Sequence, residues 1–171
     1  MTRPERDAQE ILTTVWAPEG AGFALPVDPV AIAQRLGIQV WVAPLDSGVS
    51  GTLTKHAGYS DPEITLNARD SRNRQRFTCA HELGHYVKRT ATSDDTDWEY
   101  VDRRDSLTSR GTEPEEVYAN QFAAALLMPA DLVREYHKMY EHSPATPAAL
   151  AYDFGVSADA MNFRLDNLRL R

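Results

Sequence analysis

Residues 81–85 read His-Glu-Leu-Gly-His inside a stretch, from Ser71 to roughly Val87, whose pattern is helical. Two histidines four residues apart share one face of an α-helix, about 40° apart around its axis and one turn along it. His81 and His85 can therefore reach a single ion, and zinc favours tetrahedral sites built from imidazole, thiolate or carboxylate. Glu82 lies about 100° further round from His81. From there its carboxylate can address a water at an open fourth position without binding the ion, and take that water's proton. The spacing commits this segment to a helix. It also points to metal-assisted hydrolysis of a peptide carbonyl, with His81 and His85 as ligands and Glu82 as the catalytic base. Gly84 in mid-helix costs about 1 kcal/mol against Ala, which suggests close approach by another element.

A catalytic zinc needs a third protein ligand. A third histidine close behind the motif would require Gly at 88 and His at 91, and the chain has Lys88 and Ala91 there. A downstream carboxylate remains. Glu116 is the best candidate, with Glu115 as the fallback. Glu116 opens Glu-Val-Tyr-Ala-Asn near the start of the next helix. One turn later Asn120 can accept a hydrogen bond from the free ring nitrogen of His81, as ligating imidazoles commonly require.

The rest of the chain is consistent with a globular protein of 171 residues, long enough to enclose a core without disulfides. Its one cysteine, Cys79, cannot form an internal bridge, so a reducing, cytoplasmic setting is expected. No secretory h-region follows Met1, and the longest apolar run, Phe122 to Met128, is far short of a membrane span. With 18 basic against 25 acidic residues the net charge is −7, which argues against direct nucleic-acid binding as the main task.

Residues 5–16 carry a helical stripe (Ile11, Leu12, Val15, Trp16) that stops at Pro18. Asp28 with Pro29 opens a short helix that Gly37 ends. Residues 38–42, 49–55 and 63–67 read as strands, followed by the helix capped by Asp70 or Ser71. The six acids between Asp94 and Asp105 mark residues 90–113 as an exposed loop. Thr112 and Glu115 form a capping-box pattern for a helix that runs to Met128. Further helices are expected over 131–140, 146–154 and 157–168. The fold class is α+β: a small sheet packed on the helix of residues 71–88, with a helical C-terminal half, all in one domain spanning 1–171.

Two blocks now carry a resemblance. Phe77 to Tyr86, Phe-Thr-Cys-Ala-His-Glu-Leu-Gly-His-Tyr, is followed by Glu116 to Pro129, Glu-Val-Tyr-Ala-Asn-Gln-Phe-Ala-Ala-Ala-Leu-Leu-Met-Pro. Together they resemble the ImmA/IrrE family of metallopeptidases. Weaker likeness extends upstream to Asp28–Val40 and downstream to Leu150–Ser157, so it covers nearly the whole chain. The resemblance implies a zincin-like fold, one zinc ion held by His81, His85 and Glu116, and Glu82 as general base and acid. It further implies a narrow endopeptidase whose substrate is a helix-turn-helix repressor, often encoded nearby, and whose cleavage derepresses mobile-element or stress genes. Cys79 departs from the aliphatic residue common at its position. It lies about 200° from His81, facing the core, as a small buried hydrophobe or a redox sensor.

Other residues leave choices open. The donor that stabilises the oxyanion could be His56, Tyr59, Tyr86 or Tyr118. His137 and His142 read as solvent-facing. Arg69, Arg72, Arg74 and Arg76 read as a solvated basic face paired with nearby acids, or as a contact for an acidic partner. Residues 144–171 form a helical pair, joined at Gly155, that resembles a helix-turn-helix integrated into the domain. Sequence-specific DNA binding is therefore one alternative function, although the second helix is poor in basic residues. A non-catalytic protein that only binds the repressor is another.

Overall fold

Thr2 and Glu5 start the first helix, α1 (Arg3–Ile11), where Glu5 Oε2 accepts the Thr2 amide at 2.9 Å. Its last turn widens into a π-helical segment, Leu12–Trp16, so the expected stripe is present and begins slightly earlier than its apolar residues indicate. The computed structural model describes residues 1–17, 24–55, 61–91, 98–103 (backbone only), 114–140, 143 and 146–171.

Asp28 caps α2 (Pro29–Arg35) as expected, its Oδ1 accepting from the amides of Val30 at 3.0 Å and Ala31 at 3.3 Å. Four strands follow among the described residues: β1 (Gln39–Ala43), β2 (Val49–Lys55), β3 (Glu63–Asn67) and β4 (Trp98–Arg103). They form one sheet in the order β1-β3-β2-β4, with β1 parallel to β3 and the other pairs antiparallel. The fourth strand corrects the expectation of a loop throughout 90–113. Trp98, Tyr100 and Val101 are strand formers, and pairing with β2 satisfies backbone that the neighbouring acids alone would have left to water. The rest of that segment, Thr112 included, lies outside the described residues.

The long helix α3 (Arg72–Thr90) is capped by Ser71, whose Oγ accepts the Arg74 amide at 3.3 Å. Four helices follow among the described residues: α4 (Pro114–Leu127), α5 (Ala130–Tyr140), α6 (Thr146–Phe154) and α7 (Ala158–Asn167). α3 packs on β2 and β3 on one side and along α4 on the other, while α1 covers α4. Leu53 and Ile64 from the sheet, Leu83 from α3, Phe122 and Leu126 from α4 and Phe154 from α6 are fully buried in the shared core. The architecture is thus mixed α+β, with a small sheet against α3 and helices dominating the second half. No described helix is long and apolar enough to cross a membrane.

Only part of the expected basic face is solvated: Arg69 and Arg72 are exposed, whereas Arg74 and Arg76 turn inward. Arg74 reaches across to β2 and donates to Ser50 Oγ from Nη2 at 2.9 Å and from Nε at 3.2 Å. Arg76 donates to the carbonyls of Gly155 at 2.9 Å and Val27 at 2.6 Å, and Asn73 Nδ2 donates to the Val156 carbonyl at 3.0 Å. These side chains fasten the start of α3 to β2, to the segment before α2 and to the α6–α7 turn. Gly155 makes that turn at φ 61°, and a Cβ on it would lie 3.1 Å from Pro26 Cβ and 3.2 Å from Arg76 Nε. On α7, Arg164 is buried. Its Nε donates to the Met128 carbonyl at 3.0 Å and its Nη1 faces Glu5 at 3.5 Å. The basic residue that a DNA groove would need on this helix is committed to the protein interior.

Candidate metal centre

Every residue of α3 from Thr78 to His85 is buried. Burying polar side chains in such a run is costly unless each finds a partner, so the polar residues there indicate what this stretch of helix is for. His81 and His85 are 1% and 3% exposed, and their Nε2 atoms face each other at 3.0 Å. Glu116, on the first turn of α4, brings Oε2 to 3.3 Å from His81 Nε2 and Oε1 to 3.4 Å from His85 Nε2. Among the described residues these three form a cluster that could hold a metal ion, each offering one donor atom, all within 4.8 Å of one another. Behind it, Asn120 Oδ1 lies 3.0 Å from His81 Nδ1. With the amide oxygen accepting, the ring proton sits on Nδ1 and the Nε2 lone pair points into the cluster.

Contact with His81, and then with His85, holds the Glu116 carboxyl well below the usual carboxylate range. Burial pushes the His85 imidazole below its ordinary value. The carboxylate and the two imidazoles thus bring their donor atoms to one place. Such an arrangement is self-repelling until a cation or proton occupies the centre.

Two glycines let the elements close around these side chains. A Cβ on Gly84 would sit 3.0 Å from Ala119 Cα and 3.2 Å from Phe122 Cβ. The close approach that its mid-helix position suggests is therefore that of α4, which carries Glu116 and Asn120. The sequence drew no attention to Gly51 of β2. A Cβ there would meet Thr78 Cγ2 at 2.5 Å and lie 3.8 Å from Glu82 Oε1, so the bare backbone lets the strand lie directly on α3 beside Glu82. Glu82 itself is fully buried next to the cluster's helix face.

Tyr118 does not join the cluster. Its hydroxyl donates to Asp7 of α1, and the Lys88 ammonium stands 5.3 Å from its ring centre. Facing α1 follows from its place on α4, about 200° around the helix from Glu116. Tyr86 is half-buried and packs against the core. His56, Tyr59 and His142 lie outside the described residues. Cys79 is fully buried, and burial pushes its thiol up, which suits a small core residue and not a reactive thiolate.

The sequence matches the peptidase family described as the IrrE N-terminal-like domain over residues 33–166. The chain belongs to that family. The match takes in the His81, His85 and Glu116 cluster of this IrrE-like domain together with the end of α2, the sheet, α3 to α6 and nearly all of α7. A solved structure, a Mycobacterium tuberculosis transcriptional regulator, aligns with a TM-score of 0.60 at 20% sequence identity, covering 95% of this chain and 46% of that one. At that identity the likeness is one of fold, and the IrrE-like domain spans less than half of that regulator's length. None of the curated proteins searched matches the sequence.

Proposed function

We propose that the chain is a zinc-dependent endopeptidase with a zincin-like fold, in which His81, His85 and Glu116 hold one ion and Glu82 is the general base. The observation that carries this reading is the donor triangle. Ligands about 2.0–2.1 Å from a tetrahedral zinc lie about 3.3 Å apart; the two Nε2 atoms are 3.0 Å apart, each faces its own Glu116 oxygen, at 3.3 Å for His81 and 3.4 Å for His85, and one donor atom from each residue lies within 4.8 Å of the others. Three protein donors also leave a fourth position open, as a catalytic site requires. When bound, zinc supplies Lewis acidity to a water and to a scissile carbonyl. The chain's own residues do the rest. Glu82 takes the proton from the attacking water and returns it to the leaving amine. Asn120 fixes the ring of His81, and the close packing of α3 on β2 and α4 keeps the buried carboxylate and imidazoles in place.

The substrate we assign is a helix-turn-helix repressor, cut at a restricted position so that the genes it silences are expressed. Family membership supports a peptidase of this kind, and the net charge of −7 favours a protein partner over nucleic acid. We read the whole chain as one domain, because Arg76 and Arg164 tie the C-terminal helical pair to α2, α3 and α4. The only cysteine, buried and inert, suits a reducing compartment such as the cytoplasm.

Metal analysis of protein prepared without chelator is expected to find about one equivalent of zinc. Less than a tenth of an equivalent would overturn the ligand set. Co-expression with helix-turn-helix proteins encoded beside the gene should yield a cleaved product, which Glu82→Gln abolishes while zinc stays bound. Full cleavage by Glu82→Gln would remove Glu82 from the mechanism.

A further inference from the structure

Positions 85, 81 and 77 of α3 and positions 116, 120 and 124 of α4 recur at four-residue intervals, so each set forms a stripe along its helix. The contact of His81 with Asn120 sets the two stripes face to face. The histidine–glutamate cluster lies at one end. At the other, Phe77 and Ala124 line a cavity of about 550 Å³, within the roughly 300–1,000 Å³ typical of ligand sites. Asn120 belongs to both places, holding His81 and lining the cavity.

Much of the lining is apolar. Phe77, Ala124 and the nearly buried Met128 contribute carbon surface, and Phe163 of α7 borders it while 70% exposed to water. Its charged members, Glu5 and Arg164, are turned on each other at 3.5 Å, so they present no unpaired charge to an occupant. The side-chain amides of Asn120, Gln121 and Asn167 supply donors and acceptors of the kind a peptide backbone needs. One to two helical turns, about 5–11 Å, separate the cluster from the cavity. That span corresponds to about two or three residues of an extended chain.

We propose that this cavity is a specificity pocket that takes a large apolar side chain of the substrate (leucine, methionine or phenylalanine) two or three residues from the bond to be cut. The inference rests on the peptidase reading above and adds to it the class of side chain selected. A neutral, apolar chamber rejects a charged side chain, which would lose its hydration without gaining a partner. Phe163 stands ready to be covered by the incoming side chain, which accounts for a large aromatic left in water beside a cavity.

The test uses the full-length, zinc-loaded protein and fluorescent peptide pools, each fixed at one position as Leu, Phe, Ser, Asp or Lys. Binding and cleavage are scored separately. The Leu and Phe pools should bind at least roughly tenfold tighter than the Ser pool. Ala124→Trp, which fills the cavity, should erase that difference, and Phe163→Ala should narrow it. Zinc content and circular dichroism report whether Ala124→Trp has folded, and Phe163→Ala, altered only at the exposed rim, decides the matter alone if it has not. Equal affinity for the Leu, Phe and Ser pools overturns the pocket, as does a preference that survives the substitutions. Pools bound with the apolar preference but never cut would leave the pocket standing and remove the peptidase reading. Pools cut without any preference would remove the pocket alone.

Discussion

Asn120 shows how much a neutral side chain can control at the residue scale. It binds no ion in the proposed site, yet its 3.0 Å contact fixes which nitrogen of His81 carries the proton. Replacing it with Ala frees the ring to rotate and to adopt the other tautomer. Losses of about 10–100-fold in metal affinity are usual for such partners, and a chelator competition on Asn120→Ala should find a drop in that range with the fold unchanged. The cluster also makes the metal-free protein sensitive to acid. Burial lowers the His85 pKa, so the unfolded chain takes up a proton near pH 6.5 before the folded one does. Stability is therefore full above that pH and is lost as pH falls below it. The Glu116 carboxyl is depressed as well, so its contribution is present above about pH 4.5 and is lost on further acidification. Both signs agree. Urea midpoints of the metal-free protein should fall between pH 7 and pH 5 and fall again below pH 4.5; a midpoint that is flat over the whole range would contradict the assignment of these shifts.

At the scale of elements, the site depends on how closely α3 and α4 approach. Gly84→Ala should improve the intrinsic helix propensity of α3 by about 1 kcal/mol. It should nevertheless destabilise the protein, because the new methyl meets backbone at Ala119 Cα at 3.0 Å as well as the Phe122 side chain, and overpacking of this kind costs about 1–3 kcal/mol. Parting the helices also moves Glu116 away from the histidines. A lower melting temperature together with weaker zinc binding is the expected result, and unchanged zinc affinity would show that the helix spacing does not set the site. Much of this was legible in the sequence. Four-residue spacings placed His81 and His85 on one face, and Glu116 and Asn120 on another, because helical periodicity is a local property. Caps at Asp28 and Ser71 were legible for the same reason. β4 was hidden because its strand-forming Trp98, Tyr100 and Val101 alternate with acids, and their partner, β2, lies far away in sequence. Arg74 and Arg76 were misread for a related reason. A helix pattern shows where a long side chain starts but not which distant carbonyl or hydroxyl it reaches.

At the scale of the whole molecule, the C-terminal helical pair decides between two kinds of protein. As an independent DNA-reading module, α6 and α7 would need a solvent-facing basic surface and few ties to the rest. Instead Leu150, Phe154, Met161 and Leu165 are buried in the same core as Leu83 and Phe122. The α6–α7 turn also receives hydrogen bonds from Asn73 and Arg76 of α3. Arg164 adds a tie that no apolar residue could replace in kind, since its loss strands the Met128 carbonyl at the end of α4 and leaves Glu5 facing a gap. Losing a buried hydrogen-bond donor of this kind costs about 1–3 kcal/mol, so Arg164→Ala should lower the urea midpoint by that amount. Deleting residues 144–171 should have the larger effect. The truncated chain would expose the far side of the core and leave the Arg76 guanidinium without its partners in the α6–α7 turn, so it should give a broad, non-cooperative melt and fail to retain zinc. A truncated protein that still melts cooperatively with zinc bound would make the C-terminal helices a separate unit and revive a DNA-binding role for them.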